Sequence, residues 1–236
     1  HEVGYDYEHI IIDNSSKDST VSKVKSLILQ NPSIKLIVND KNYGHLLSPV
    51  HGIKQTSGDA TILINADFQD PPELIKKLIK SWEHGNKITL LQKIKSEEPF
   101  MLKYLRRFYY WFLQKTSTTN LTQNTTGSGI IDKSIVKLLK NIHDPAPYLR
   151  GLLAEIGPEI ALVKFQQPAR LKGKTKNNFF TLFDLAMIGL IKQSKFFLRL
   201  MTICGLSISI ISFLISIIFL KLKLFFWDQF ELGKAP

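Results

Sequence analysis

Four oxygen-bearing side chains fall within six residues, at Asn65, Asp67, Gln69 and Asp70, and the stretch continues into Pro71-Pro72-Glu73. Asp67 and Gln69 are two positions apart, so in an extended segment their side chains leave the same face and can share one small hard cation, Mg²⁺ or Mn²⁺. A cation held by so few protein oxygens keeps positions open for substrate phosphates. The same residues also read as an acidic helix N-terminus with Asp70 as its cap. A second cluster, Arg170-Leu171-Lys172-Gly173-Lys174-Thr175-Lys176, holds four cations in seven residues. Its glycine lets the backbone approach a phosphate and its cations offer charge-assisted bonds, the makings of a phosphate clamp. A basic run beside a membrane, attracted to anionic lipid, is the other reading, and the two are compatible.

The elements that must position these groups alternate between strand and helix. Residues 61–64 are an apolar run that reads as a buried strand, and Pro71-Pro72-Glu73 reads as the first turn of a helix over 72–83. Leu74, Ile75, Leu78, Ile79 and Trp82 share one face of that helix. The oxygens therefore sit on a short strand-to-helix connection, where α/β sheets hold their ligands. Upstream, a β-rich run over 7–12 ends at Asp13, a polar cluster over 14–19 leads into a helix over 20–30, and a second strand is predicted over 34–38. A turn over 39–44 and a helix over 48–56 follow, so right-handed crossovers and a parallel sheet are expected. His45 and His51 have no partner at ligand spacing and read as loop and surface residues. Downstream, 88–91 is a strand and 100–114 an aromatic-rich helix whose Arg106 and Arg107 form a solvated basic face or touch phosphate. Residues 116–126 read as a polar mobile loop or lid, 134–141 as a helix after Ile130-Ile131, and 160–165 as a further strand.

With 236 residues, 44% hydrophobic and 22% charged, the chain can bury one core and carry an appended element. Thirty-one Lys and Arg against 20 Asp and Glu give a net charge of +11, which suits nucleic acid, anionic lipid or phosphorylated substrates alike. There is no zinc-finger spacing and no arginine-rich arm, and the cations crowd toward an apolar C-terminal segment; nucleic acid is set aside in favour of lipid and nucleotide phosphates. The single cysteine, Cys204, lies in that segment, which excludes a disulfide framework and a cysteine metal site and is compatible with a reducing, cytoplasmic setting. No signal-peptide pattern follows His1. Residues 200–220 are uncharged and, at about 1.5 Å per residue, span roughly 32 Å, enough to cross a bilayer core. A buried helix of a soluble protein is the competing reading. Ahead of it, 179–191 reads as an amphipathic helix lying close to the membrane interface. Lys221 and Lys223 balance the cations on the near side, so charge does not orient the span.

Three segments in order carry a resemblance: Ile11-Ile12-Asp13-Asn14-Ser15-Ser16-Lys17-Asp18-Ser19-Thr20, then Asn42-Tyr43-Gly44, then Gly58-Asp59-Ala60 running into Asn65 to Glu73. Together they resemble the family 2 glycosyltransferases, in particular the membrane-attached polyprenyl-phosphate glucosyl- and mannosyltransferases. The resemblance implies a GT-A, Rossmann-like α/β fold with a mostly parallel sheet, followed by interface helices and a transmembrane helix. The implied division is a glycosyltransferase domain over 1–166, a basic acceptor loop and juxtamembrane helix over 167–199, the span over 200–220 and an extramembrane loop over 221–236. It implies inverting transfer of a hexose from a nucleotide-sugar donor to a membrane polyprenyl phosphate, by an integral protein of the cell membrane with its catalytic domain on the cytoplasmic side. Asp13, Asn42, Gly44, Asn65 and Asp67 would then contact the donor, with the Asp13 carboxylate accepting from the base. Asp67 and Gln69, the catalytic pair, would hold Mg²⁺ or Mn²⁺ with Asn65, and Arg150, Arg170, Thr175 and Lys176 would meet the acceptor phosphate. Arg150 enters because Tyr148-Leu149-Arg150-Gly151 resembles the family's segment near the acceptor.

Departures from the pattern sharpen these expectations. Asn65 stands where relatives often have Asp, a loss of charge for which Asp70 is expected to compensate. Many relatives carry a carboxylate and an arginine around Gly127 to Gly129, and here neither is present. A sugar hydroxyl needs a general base when it attacks, whereas a phosphate monoester is already anionic, so lipid phosphate is favoured as acceptor. With Asp132 or Asp144 as base, extension of a lipid-linked glycan is the alternative. Relatives begin with a further strand and end with a second span; a truncated, non-catalytic membrane protein is thus also kept in view. Self-association is left open.

Overall fold

The expected alternation of strand and helix is present in the computed structural model, which describes residues 4–94, 100–117, 122–168 and 179–227. Strand β1 (His9–Asp13) is followed by α1 (Thr20–Gln30) and then by β2 (Ile34–Val38), which pairs with β1 in parallel from His9 opposite Ile34 to Asp13 opposite Val38. Helix α2 (Gly44–Gln55) begins ahead of the predicted 48–56, because Gly44 takes a φ of 73° and turns the chain straight into the helix. His45 and His51 lie on that helix, both exposed, rather than in a loop. Glu8, just before β1, reaches two elements at once. Its Oε2 accepts from Lys35 Nζ at 2.6 Å, and its Oε1 from the backbone N–H and hydroxyl of Ser57 at 2.6 and 2.9 Å.

Past Ser57 come β3 (Ala60–Leu63), α3 (Leu74–Glu83), β4 (Ile88–Lys93), α4 (Phe100–Thr116) and β5 (Thr125–Asp132). Helices α5 (Lys133–Asn141) and α6 (Leu149–Ile156) lead to β6 (Ala161–Phe165), and α7 (Phe179–Gln193) follows. These strands make a second sheet in the order β3-β5-β4-β6. β4 and β6 are parallel, while β5 runs antiparallel to both β3 and β4, so three strands share one direction and β5 opposes them. This corrects the reading of the region that ends in Thr125 and Thr126 as a loop or lid. The sequence Thr-Thr-Gly-Ser-Gly-Ile-Ile-Asp has two glycines where a strand signal is expected. In the sheet at least one of them is obligatory: a Cβ on Gly129 would stand 2.1 Å from the backbone oxygen of Thr89. Residues 118–121 of that predicted loop lie outside the described residues.

The core is built around β4. Ile88 and Leu90 pack with Val50 and Ile53 of α2, Ile135, Val136 and Leu139 of α5 and Leu153 of α6. Leu91 packs with Leu74 and Leu78 of α3, Ile130 of β5 and Phe165 of β6. The apolar spacing read on residues 74–82 is therefore the face that covers the sheet. Two compact units divide the chain, 1–193 and 194–236. In the second, α8 (Phe196–Phe225) contains the whole of the expected 200–220 stretch; its best window has a mean hydropathy of 2.6 and is 0% buried. It is long and apolar enough to cross a membrane, and its exposure sets aside the reading as a buried core helix.

Two outcomes are expected. Gly129→Ala should lower stability by about 1–3 kcal/mol in chemical denaturation, since the new methyl group meets a sheet backbone that cannot yield. The second concerns acid. The bond from Lys35, with the Ser57 donors and against partial burial, holds Glu8 down to about 2 from its ordinary 4.5. A folded pKa below the unfolded one contributes stability that is present above about pH 4.5 and is lost as pH falls toward about 2. Glu8→Gln should flatten that part of the urea midpoint against pH; an unchanged acid limb would show that Glu8 is not the group responsible.

Candidate active site

Two groups of predicted residues are each drawn together by a side chain that the sequence reading did not single out. At the end of β1, Asp13 is buried at 4% exposure, and its Oδ2 accepts from the Ser16 N–H at 2.9 Å across Ser15, whose φ is 64°. Its neighbour Asn14 does the positioning. Asn14 Oδ1 accepts from the Ser48 hydroxyl at 2.8 Å, from Asn39 Nδ2 at 3.0 Å and from the Tyr43 N–H at 3.1 Å. Its Nδ2 donates to the Gly44 carbonyl at 3.3 Å, while Asn42 Oδ1 accepts from the Gly44 N–H at 2.8 Å. Asp13, Asn42 and Gly44 are thereby fastened to one edge formed by the ends of β1 and β2. The available signal was a polar amide directly after an apolar strand, with a second asparagine at the end of the next one.

The stretch after β3 is arranged differently from the extended segment expected. Residues 66–70 form a turn, with Phe68 at a φ of 58° and 59% exposed, and Asp67 Oδ1 accepts from the Gln69 N–H at 3.1 Å. Asp67 and Gln69 are thus neighbours through a side-chain turn and not through strand alternation. Asp70 is not a helix cap: α3 starts at Leu74, Glu73 occupies its N-cap position, and no side chain caps it. The Asp70 carboxylate, 1% exposed, points back into the domain. Its Oδ2 accepts from the Asn65 N–H at 3.2 Å, from Asn65 Nδ2 at 2.8 Å and from the Ser128 hydroxyl at 2.6 Å, and Asn65 Nδ2 also reaches Ser128 Oγ at 3.1 Å. With this oxygen engaged by three donors, the compensation expected of Asp70 for the missing charge at residue 65 is not made through Oδ2. Asp70 latches the two ends of the loop to β5, and Ser128 is the second functional residue missed from sequence, hidden between two glycines.

Whether a divalent cation fits can be judged from the donors. Asp67, Gln69 and Asn65 offer one carboxylate and two amide oxygens, a hard set of the kind that binds Mg²⁺ together with phosphates and water rather than as a closed cage. Among the described residues no three Asp, Glu, His or Cys side chains converge on a metal-sized site. Behind the loop, Asp70 Oδ1 is buried with no hydrogen-bond donor among the described residues. That orphaned oxygen leaves negative charge at the loop that its own donors do not satisfy, and the residues present therefore fit a cation.

Arg150, at the start of α6, leans on the same strand. Its Nη1 donates to the Thr125 carbonyl at 3.0 Å, its guanidinium lies 5.4 Å from the Tyr148 ring centre, and its Cγ would stand 3.8 Å from a Cβ placed on Gly127. Beside it is a cavity of about 10 Å³ lined in part by Tyr110, Thr122 and Thr125, room for a single water. Burial opposes the guanidinium charge, but the tyrosines around it, Tyr148 and Tyr110 foremost, hold its pKa above the ordinary value. Burial in turn raises the phenols of Tyr148 and Tyr109, which keeps them neutral. Arg150 is therefore a half-buried cation with no carboxylate paired to it among the described residues. The clamp residues Arg170, Thr175 and Lys176 lie outside the described residues.

The two candidate bases are otherwise employed. Asp132 caps α5, accepting from the Ser134 N–H at 2.8 Å and hydroxyl at 2.6 Å, and its Oδ2 accepts from Trp82 Nε1 at 2.9 Å. Despite the burial that works the other way, the Ser134 and Trp82 bonds hold its carboxyl below the usual range. Asp144 pairs with Lys192 and accepts from the Ala146 N–H at 2.9 Å; burial again opposes, and Lys192 keeps its pKa low. Removing one charge-assisted bond from the latch should be costly: Ser128→Ala is expected to lower stability by about 1.5–3 kcal/mol. A thermal midpoint equal to that of the unaltered chain would show that the Ser128–Asp70 bond does not hold the loop.

The sequence model described as Glycosyl transferase family 2 matches residues 3–138. The bactoprenol glucosyl transferase of Shigella phage SfX is 29% identical over 211 residues, covering 89% of this chain and 69% of that protein. The uncharacterized glycosyltransferase YkcC of Bacillus subtilis (strain 168) is 29% identical over 220 residues, covering 93% and 68%. The uncharacterized glycosyltransferase sll0501 of Synechocystis sp. is 29% identical over 207 residues, covering 87% of this chain and 65% of its own length. Among solved structures, the 1-349 fragment of S. aureus TarS has a TM-score of 0.43 at 13% identity, covering 79% of this chain and 56% of that one.

Proposed function

Since the chain belongs to glycosyl transferase family 2, we propose that it moves a hexose from a nucleotide-sugar donor to a polyprenyl phosphate, with inversion at the anomeric carbon. The observation that carries the choice of acceptor is that Arg150, beside β5, has no carboxylate paired to it among the described residues, while two aspartates, Asp132 and Asp144, are committed to capping and to an ion pair. An acceptor at such a site must arrive already anionic, because no described carboxylate near it is left to take a proton. A phosphate monoester, with a second pKa of about 6, meets that condition. Relatives named bactoprenol glucosyl transferase support the same acceptor.

In this reading Asp13 accepts from the donor base while Asn14 holds the Asn42–Gly44 turn against the nucleotide. Asp67 and Gln69, aided by the Asn65 amide oxygen, would hold a divalent cation, which would supply positive charge to offset that of the departing diphosphate. The Asp70–Ser128 latch keeps Asp67 presented and spares it the reorganisation of a free loop. A phosphate oxygen of the acceptor attacks the anomeric carbon as the bond to the nucleoside diphosphate breaks, and the electron pair leaves with the diphosphate. Arg150, with Arg170, Thr175 and Lys176 of the basic run, orients the incoming phosphate. Helix α8 anchors the protein in the cell membrane, with the catalytic unit on the cytoplasmic side where nucleotide sugars are made.

The test is transfer of labelled sugar to polyprenyl phosphate in membranes carrying the chain. Asp67→Ala should abolish turnover while thermal unfolding is unchanged, and Arg150→Ala should weaken apparent acceptor affinity roughly tenfold to a hundredfold, the loss of about 1.5–3 kcal/mol, with donor affinity little altered. Undiminished activity in excess chelator would remove the cation from the scheme. A defect confined to donor affinity would move Arg150 to the diphosphate.

A further inference from the structure

Resting on the transfer reaction proposed above and going past it to the donor sugar, we propose that Phe68 is a specificity-determining residue whose ring takes the apolar C–H face of the transferred hexose. What carries this is a strained aromatic side chain in the open. Phe68 has a φ of 58°, a left-handed conformation that is costly for a bulky residue. Among the described residues the other positive φ values belong to glycines, to Ser15 and to Asn124, whose side chains are absent, small or polar. The Phe68 ring is 59% exposed and stacks on no other ring or cation among the described residues. Nor does it close the loop, which is held by the bonds of Asp70 to Asn65 and Ser128, or belong to a buried cluster. Strain of this kind persists where the surrounding structure imposes it, and here the Asp70 latch does so.

The place of the ring selects its ligand. Phe68 stands between Asp67 and Gln69, the side chains that would hold the cation at the donor diphosphate. The hexose is bonded directly to that diphosphate, so it is the part of the donor that comes beside this loop, whereas the base is assigned to Asp13 at the end of β1. A phenylalanine offers a sugar no hydrogen bond. It offers an apolar face with negative charge density, against which the C–H groups of one side of a pyranose pack while the hydroxyls at the rim stay free for polar partners. The lipid chain of the acceptor is the competing ligand. A single ring held in a fixed turn suits a rigid pyranose better than a flexible chain, which would lose its own freedom for one contact.

Calorimetric titration of the full chain in detergent, with Mg²⁺ present, tests this without any sugar transfer. Uridine and thymidine diphosphate glucose and guanosine diphosphate mannose are titrated beside the corresponding free diphosphates, and the variants are measured with the pair that the unaltered chain binds most tightly. Phe68→Asn removes the ring and relieves the backbone, because asparagine accepts a positive φ. It should weaken the nucleotide sugar roughly three- to tenfold, change the free diphosphate by less than about twofold, and raise the thermal midpoint by about 2–4 °C. Phe68→Tyr, which keeps the ring, should bind the nucleotide sugar as the unaltered chain does. An equal loss for nucleotide sugar and free diphosphate would move the ring to the nucleotide, and a lowered thermal midpoint in Phe68→Asn would make it a structural residue. Unchanged affinity for the nucleotide sugar would also overturn the contact, and weaker polyprenyl phosphate binding in the same variant would assign the ring to the lipid chain. Each of these results leaves the transfer reaction standing; failure of the unaltered chain to bind any of the nucleotide sugars would overturn both together.

Discussion

One buried carboxylate organises the centre of this protein. Asp70 is almost fully enclosed, and a charge in that position is tolerated only because three donors, from Asn65 twice and from Ser128, converge on a single oxygen. Those donors come from the end of β3 and from the middle of β5, so the bond set closes the loop between Asn65 and Asp70 and fixes it to the neighbouring strand. Everything that the loop offers outward, above all Asp67 with its bond to the Gln69 N–H, depends on that closure. Loss of the latch would free five residues that contain no secondary structure of their own.

Strand β5 extends the same constraint to Arg150. It pairs with β3 and β4, supplies Ser128 to the latch, and at the adjacent Gly127 receives the Arg150 side chain, with Thr125 accepting its hydrogen bond. A single reversed strand thereby brings together groups far apart in the chain. The close approach of Gly129 to the backbone of β4 is what makes this strand possible, and a side chain there would push it away from the sheet. The tyrosines around Arg150 complete the arrangement. They shield the guanidinium without neutralising it, which leaves a cation with no carboxylate paired to it among the described residues.

A second polar hub, Asn14, does for β1 and β2 what Asp70 does for β3 and β5. Its amide satisfies donors from Asn39, Tyr43 and Ser48 and an acceptor from Gly44, so four segments are tied by one uncharged side chain. The two hubs are chemically different for a reason. Three donors without a compensating cation suit a carboxylate, whereas a mixed set of donors and one acceptor suits an amide.

Much of the architecture was legible in the sequence because it rests on local pattern. Strands β1, β2, β3, β4 and β6, helices α1, α3, α5 and α7 and the apolar α8 all fall where hydrophobic runs and periodicity put them. The chemical grouping of Asn65, Asp67 and Gln69 was legible for the same reason, as residue types close together in the chain. What the sequence did not contain in readable form was anything decided between distant segments. Glycine-rich β5 carries no strand signal of its own, since its stability comes from pairing on both sides and from a contact only glycine permits. Asp70 looks like a helix cap in isolation, and Asp132 and Asp144 look like bases. Only the tertiary structure decided that the first is a latch, the second a true cap and the third half of an ion pair, because a carboxylate takes its role from the donors that the fold brings to it.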